Sequence, residues 1–336
     1  MNRLLITVFF IFCLMNIHAQ TPAEVHETVM SFLKNKDFDN ANIAITNALA
    51  KQPDNYELLK EQLTVAYLKK DYAKTIELGK KLIKHANADA QAYQVLGSTY
   101  KMLAQDKAAI KNYEDGIAKF PEQGALRNEY AELLIARKNE NDAIKQWESS
   151  IEKDPNYSVS YYYAAKYYGD KGDLIWAIYY GETFINLESY SARTSDMKSL
   201  LLGWYKKIYG QPNIAMVYAS KNAFANMIAA TLAKQSNAAT AGITPESLTA
   251  IRTGFIKDWF IADNTKYASV RLFEHWQQLI KLNHFKAYNL WAFGAAANTD
   301  IYKQWLAENA TTNIAFENFQ GSKIFKIPAG QYYQSK

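Results

Sequence analysis

The side chains best suited to chemistry crowd into one stretch, "HWQQLIKLNHFKAYNLW", from His275 to Trp291. Two imidazoles on one face could hold a metal ion or move protons. His275 and His284 stand nine residues apart, however, and at about 100° per residue they fall on opposite faces of a continuous helix. A break near Asn283 relaxes that objection. Even then no third ligand stands at helical spacing, and "HWQQL" lacks the glutamate and second histidine of a zincin helix. Trp276 shares a stripe with Leu272 and Leu279, while Phe285, Tyr288 and Trp291 make a second stripe. The segment therefore reads as two packed helices of a small carboxy-terminal core, with no metal and no cofactor.

Other routes to chemistry are closed in the same way. No G-x-G, P-loop or G-x-S-x-G pattern occurs, so the dinucleotide, phosphate and serine-hydrolase devices are missing. The acidic pairs Glu61 with Asp71 and Asp258 with Asp263 read as helix-face or cap charges. A net charge of +5 is spread over lysines that alternate with acids, which is a solvated surface and not a nucleic-acid footprint. The chain is read as no enzyme.

The segment "MNRLLITVFFIFCLMNIHAQ" has a basic Arg3, an apolar run from Leu4 to Met15 and a polar end at Ala19-Gln20, the three-part form of a secretory signal. Residues 1–20 are expected to be removed, leaving an exported protein of the periplasm or outer envelope, or a secreted one. The run is shorter than the ~20 residues that span a bilayer. Phe12 before Cys13 argues against a lipoprotein, and Cys13 is the sole cysteine, so the exported chain carries no thiol and no disulfide.

The elements that must position any site announce themselves by a period of 34 residues. Pro53, Pro121 and Pro155 lie on one ladder, with Asn87 on its vacant rung; Ala41, Thr75, Ala109, Ala143 and Ala177 lie on another. Four residues after each rung of the second come Ile45, Gly79, Tyr113, Trp147 and Gly181. The clearest unit, "AYQVLGSTYKMLAQDKAAIKNYEDGIAKFP", places Tyr93, Leu96, Gly97 and Tyr100 on a first helix, Ala109 and Tyr113 on a second and Pro121 at its end. On these ladders residues 21–190 resemble the tetratricopeptide repeat family, in the form of an exported bacterial member. The resemblance implies an all-α solenoid of about five helix-turn-helix repeats, each stable only against its neighbours.

Beyond Tyr190 the ladders stop. Residues 191–210 read as a capping helix, and residues 211–336 as a helical, aromatic-rich carboxy-terminal region with a short extended tail, "KIFKIPAGQYYQSK". Leu248, Ile251, Phe255 and Trp259 form one stripe there, opened by a Thr244 cap and Pro245. The apolar "NIAMVYASKNAFANMIAATLA" is interrupted by Lys221, Asn222 and Asn226 and reads as a core or interface helix, not a membrane span.

The family resembled binds segments of other proteins on the inner face of its superhelix, lined by the first helix of each unit. Carried onto this register, that face offers Gln94, Ser98 and Lys101, then Asn128 and Glu132, then Tyr162 and Lys166. Mixed charge there predicts a neutral or weakly charged peptide, anchored by Tyr162 and held along its backbone by Gln94 and Asn128. The leading function is a non-catalytic scaffold with a protein or peptide partner in the cell envelope. Two alternatives place the site in the carboxy-terminal region: an enzyme with a pocket there, or a glycan or peptide binder using exposed rings such as Trp259 or Trp305.

Overall fold

The computed structural model describes residues 21–261, 267 and 269–335, so the predicted signal segment and Asp263 lie outside the described residues. Ten helices come first, in five pairs: α1 (Pro22–Lys34) with α2 (Phe38–Leu49), α3 (Tyr56–Leu68) with α4 (Tyr72–Leu82), α5 (Ala90–Met102) with α6 (Asp106–Lys119), α7 (Gly124–Ala136) with α8 (Glu140–Lys153), and α9 (Ser158–Lys171) with α10 (Leu174–Leu187). This is a tetratricopeptide-type all-α solenoid, and its register is the one the ladders predict. Ala41, Thr75, Ala109, Ala143 and Ala177 are each 0% exposed, at the places where paired helices press together.

A second ladder appears in the turns. Lys36, Lys70, Ala104 and Lys138 have left-handed φ values of 58°, 61°, 53° and 60°, and Gly172 follows with 81°. Each rung closes the first helix of its pair. The next residue's N–H reaches back to a carbonyl five residues earlier, as from Asp71 to Ala66 and from Asn139 to Leu134, which reverses the chain. The same residue then opens the second helix: Asp37, Asp71, Asn139 and Asp173 each accept a backbone N–H of that helix's first turn.

The chain divides within α5 into two compact units, one ending at Thr99 and one beginning at Tyr100. In the first unit, Val25, Val29, Ala41, Ile45, Leu58 and Val65 make one small core, and Tyr56, Leu59, Leu63, Leu78 and Leu82 make another. Gly79, where the repeat pattern departs from a large residue, lets Leu96 in: a Cβ there would stand 3.1 Å from the leucine side chain.

The second unit has a single continuous core running from Ala131 in α7 to Tyr333 near the chain end. Helix α11 (Ala192–Tyr209) packs on α10 as a capping helix should, close enough that a Cβ on Gly181 would lie 2.9 Å from the Met197 sulfur. Its outer side is covered in turn by α16, so it lies inside the fold. After it come α12 (Ile214–Val217), α13 (Ala223–Ala233), a short 3-10 turn at Ser236–Ala239, α14 (Pro245–Ile261), α15 (Arg271–Lys281), α16 (Phe285–Ala297), α17 (Thr299–Glu308) and α18 (Ala310–Ser322). The stretch weighed as a membrane span is α12, a bend and α13, whose Phe224, Ile228 and Leu232 are buried. No helix among the described residues is long and apolar enough to cross a membrane. The carboxy-terminal helices thus have no separate small core; they complete the core of the last two repeats.

Asn283, with φ at 57°, breaks the histidine segment into α15 and α16, the two packed helices expected, so His275 and His284 do not share one continuous helix. Both rings pack on Phe319 of α18, at centroid distances of 6.2 and 5.4 Å. His275 also meets Phe325 and Tyr288 edge-on. Burial, with the charges of Arg271, Arg252 and Lys323 adding to it, pushes its pKa down to about 3. It serves as a neutral aromatic filler, and the described residues contain no group of three or more potential metal ligands.

Candidate functional site

A cleft of about 530 Å³ opens between α7 and α9, lined among others by Glu132, Trp147, Tyr163, Lys166 and Tyr167. Trp147, four residues after the Ala143 rung, reaches it from α8 and stacks on Tyr163 with centroids 5.2 Å apart and planes 10° from parallel. Its indole N–H donates to Asn128 Oδ1 at 3.1 Å. Tyr163 and Tyr167 are one helical turn apart on α9 and so present two rings along one wall.

Most of the charges around this cleft are paired, while Asp170 lies exposed on its rim. Glu132 accepts from Asn128 at 3.0 Å and from Lys101 at 3.2 Å, and Lys101 also bonds Glu129 at 2.8 Å. Burial works against the Lys101 charge, but the Glu129 hydrogen bond and charge outweigh it and hold the ammonium above the usual lysine range. Lys166 pairs with Asp196 of α11 at 3.3 Å, and Lys171 with Glu140 at 2.8 Å while lying over the Tyr167 ring. The cleft therefore offers aromatic walls with a rim of paired charges. It suits a flat or apolar side chain and a hydrogen-bonding main chain better than a strongly charged ligand.

Of the residues expected on this face, Glu132 and Lys166 line the cleft, and Lys101 is bonded to Glu132 at its edge. Gln94 and Ser98 are half-buried on α5. Tyr162 and Asn128 depart from expectation. Tyr162 is only 8% exposed, packed against Phe184 and Tyr163, and its hydroxyl donates to Asp196 at 2.7 Å. Asn128 is 4% exposed, with both ends of its amide engaged inside the protein. Tyr163, one residue on from Tyr162 and about 100° round the helix, faces the cleft in its place. The tyrosine pair at i, i+4 in "YYYAAKYY" was the available signal.

The rings proposed as stacking platforms lie elsewhere. Trp259 is 1% exposed and stacked on Phe255, and Trp305 is half-buried against the core. The core beneath them is closely filled, with a cavity of about 20 Å³ beside Glu182, Arg252 and Trp276. There Arg252 and Glu182, both 0% exposed, form an ion pair at 2.7 Å. Arg252 also donates to Asn289 at 2.6 Å and lies 4.1 Å over the Trp276 ring, while Tyr205 donates to Glu182 at 3.1 Å. Burial raises the Glu182 pKa, against the pull of the Arg252 charge and of the Tyr205 and Tyr288 hydroxyls. This network ties α14 and α16 to α10, and no open cleft reaches it.

No family model and no curated protein sequence matches the chain. Among solved structures it is similar to MamA, at 24% identity and a TM-score of 0.40 over 48% of this chain and 94% of that one. It is also similar to a thermophilic tetratricopeptide protein of Thermus thermophilus, at 15% identity and 0.45 over 54% and 100%. A third is YrrB, described as having an unusual peptide-binding site, at 15% identity and 0.37 over 53% and 92%.

Proposed function

We propose that the protein is an exported, non-catalytic interaction scaffold that holds a neutral segment of a partner protein of the cell envelope in the cleft between α7 and α9. The observation that carries this reading is the cleft's make-up: Trp147, Tyr163 and Tyr167 as walls, with Glu132, Lys166 and Lys171 already paired inside the protein. Rigid aromatic anchors of this kind dominate peptide recognition, and a rim whose lysines are already paired disfavours strongly acidic ligands. The repeat architecture supports the same reading, since solenoids present extended binding surfaces. Export rests on the leader-like residues 1–20 of the sequence.

The test is site-specific photocrosslinking in cells from position 135, which lines the cleft from α7, with Tyr163→Ala plus Tyr167→Ala as the competing change and position 107 on α6 as control site. The reading expects a discrete partner captured from position 135 that is lost in the double variant at equal folded fraction. Capture of the same chains from position 107 would remove the cleft as the site. A mature protein that keeps residues 1–20 would remove export.

A further inference from the structure

The chain's last residues are held in the manner of a bound peptide. After α18 the tail runs extended, with Phe325 and Ile327 buried while the alternate residues Ile324 and Lys326 are exposed. Asn156, in the turn between α8 and α9, grips the main chain at both polarities: its amide donates to the Ile327 carbonyl at 3.1 Å and its oxygen accepts the Ile327 N–H at 2.8 Å. Asn222, the cap of α13, donates to the carbonyls of Tyr333 and Gln334 at 2.8 and 3.2 Å. Between these two grips Pro328, Ala329 and Gly330 are exposed.

Side chains are read at both ends: Phe325 packs on His275 and under Arg271, and the far end is held more closely. Tyr333 stacks on Phe224 at 4.2 Å and meets Tyr179 edge-on. Gln334 donates to Glu148 Oε1 at 3.2 Å and to the Tyr168 hydroxyl at 2.9 Å. Glu148 is 8% exposed and also accepts from Tyr168 and Tyr180, at 2.9 and 2.8 Å. These residues leave the α7–α9 cleft untouched.

We propose that the groove formed by Asn156, Glu148, Tyr168, Tyr179, Asn222 and Phe224 is a second peptide-binding site, filled in cis by the chain's own tail. Its ligand in trans is an extended polypeptide segment of a partner carrying an aromatic residue followed by a carboxamide. Two arguments favour an exchangeable ligand. The bonds from Asn156 and Asn222 all end on main-chain atoms, so any extended segment can make them. The tail also lies outside any helix and crosses its exposed Pro-Ala-Gly stretch between the two grips, so it can peel away without unwinding a helix. A departing tail strips Glu148 of a donor, and an incoming carboxamide restores it. The cis tail competes at high effective concentration, so a partner binds well only where the tail is weakened or outcompeted.

The probe is a fluorescent synthetic peptide with the sequence KIFKIPAGQYYQSK, titrated by anisotropy against the full chain, against the full chain carrying Tyr333→Ala and Gln334→Ala, and against that chain with Asn156→Ala and Asn222→Ala added. Saturable binding to the tail-weakened chain is expected. It should be at least about tenfold weaker to the unaltered chain and again at least about tenfold weaker without the two asparagines. Absence of saturable binding to the tail-weakened chain, or binding indifferent to the asparagines, overturns the proposal. Hydrogen exchange on the unaltered protein decides the matter if those variants fold poorly: the amides of Ile327 and Gln334 should exchange well before those of α10. Tail amides that exchange only together with α10 would make the tail a permanent core strand and overturn the proposal equally.

Discussion

Replacing Arg252 by methionine should be among the most damaging single changes this fold can suffer. Arg252 and Glu182 are both fully buried, and among the described residues the arginine is the one cation paired with that carboxylate. Removing it strands a buried charge, which costs about 3–5 kcal/mol. Loss of the cation–π contact with Trp276 adds up to about 2 kcal/mol, of which the polarizable methionine recovers part. Tyr205 and Tyr288 still donate to Glu182, so the residue's escape is to take up a proton. The sign follows. With its native pKa raised further above that of the unfolded chain, Glu182 keeps a proton that the unfolded chain gives up, so stability falls as pH rises above about 4.5. Urea unfolding followed by tryptophan fluorescence suits the measurement, because all seven tryptophans lie in the second unit, from Trp147 to Trp305. Arg252→Met should lose more stability at pH 8 than at pH 5. Adding Glu182→Gln, which removes the charge but keeps an acceptor for the tyrosines, should recover at least half of the loss. A loss under about 1 kcal/mol at pH 8, or no recovery in the double variant, would refute the account of this pair as a charge-balanced anchor.

Three further outcomes are expected. Ala104→Gly should raise stability by about 0.5–1 kcal/mol by relieving a left-handed alanine, while Gly172→Ala on the same ladder should lower it by a similar amount; thermal melts of both settle the sign. Tyr113→Ala, at a side chain 0% exposed, should cost about 3–5 kcal/mol in the same melts, and an unchanged melt would mean the repeat register is wrong. His275, held down to about 3 against an ordinary 6.5, cannot take the proton that the unfolded chain takes, so its contribution is present above pH 6.5 and drains away as pH falls toward 3. Glu148, raised by burial to about 7, works in the opposite sense between 4.5 and 7, so the histidine effect should be clearest below pH 4.5, where His275→Phe should flatten the acid loss.

The repeats were legible because close helix pairing leaves a mark that a single sequence displays: small residues every 34 positions, each followed by the residue that fills or vacates the next contact. Thr75 with Gly79, and Gly181, looked like departures, yet the two glycines are the positions where Leu96 and Met197 enter. The turns were missed for a physical reason. A left-handed residue is usually announced by glycine, and here lysine or alanine occupies four of the five rungs, so only the Asp and Asn caps one residue later gave them away. On α9 it is Tyr163, not Tyr162, that faces the cleft, because a run of three tyrosines carries no hydrophobic contrast by which to orient it. Arg252 was invisible for the converse reason: periodicity ranks an arginine beside Ile251 and Phe255 as exposed, and only the three-dimensional meeting with Glu182 makes it core.

A third ladder explains why the carboxy-terminal region reads as foreign to the repeats and yet shares their core. Glu114, Glu148 and Glu182 stand 34 residues apart, on the second helices of the last three pairs, and each accepts a hydrogen bond from a tyrosine. In α6 the glutamate is exposed and meets Tyr130 alone. In α8 it is covered and is bonded by tyrosines and by Gln334 of the tail. In α10 it is sealed in by Arg252 from α14 and Tyr288 from α16. One repeated acceptor has thus been used three ways, and the degree of its burial records how much of the added chain lies over each second helix. A carboxylate is costly to bury without donors, so the added chain brings Arg252 and Tyr288 over Glu182 and Gln334 over Glu148. The added chain contacts α8 and α10 through Glu148 and Glu182 and leaves the α7–α9 cleft open. The last repeats therefore have two different faces: one covered by the chain itself, and the other, with its aromatic walls, open.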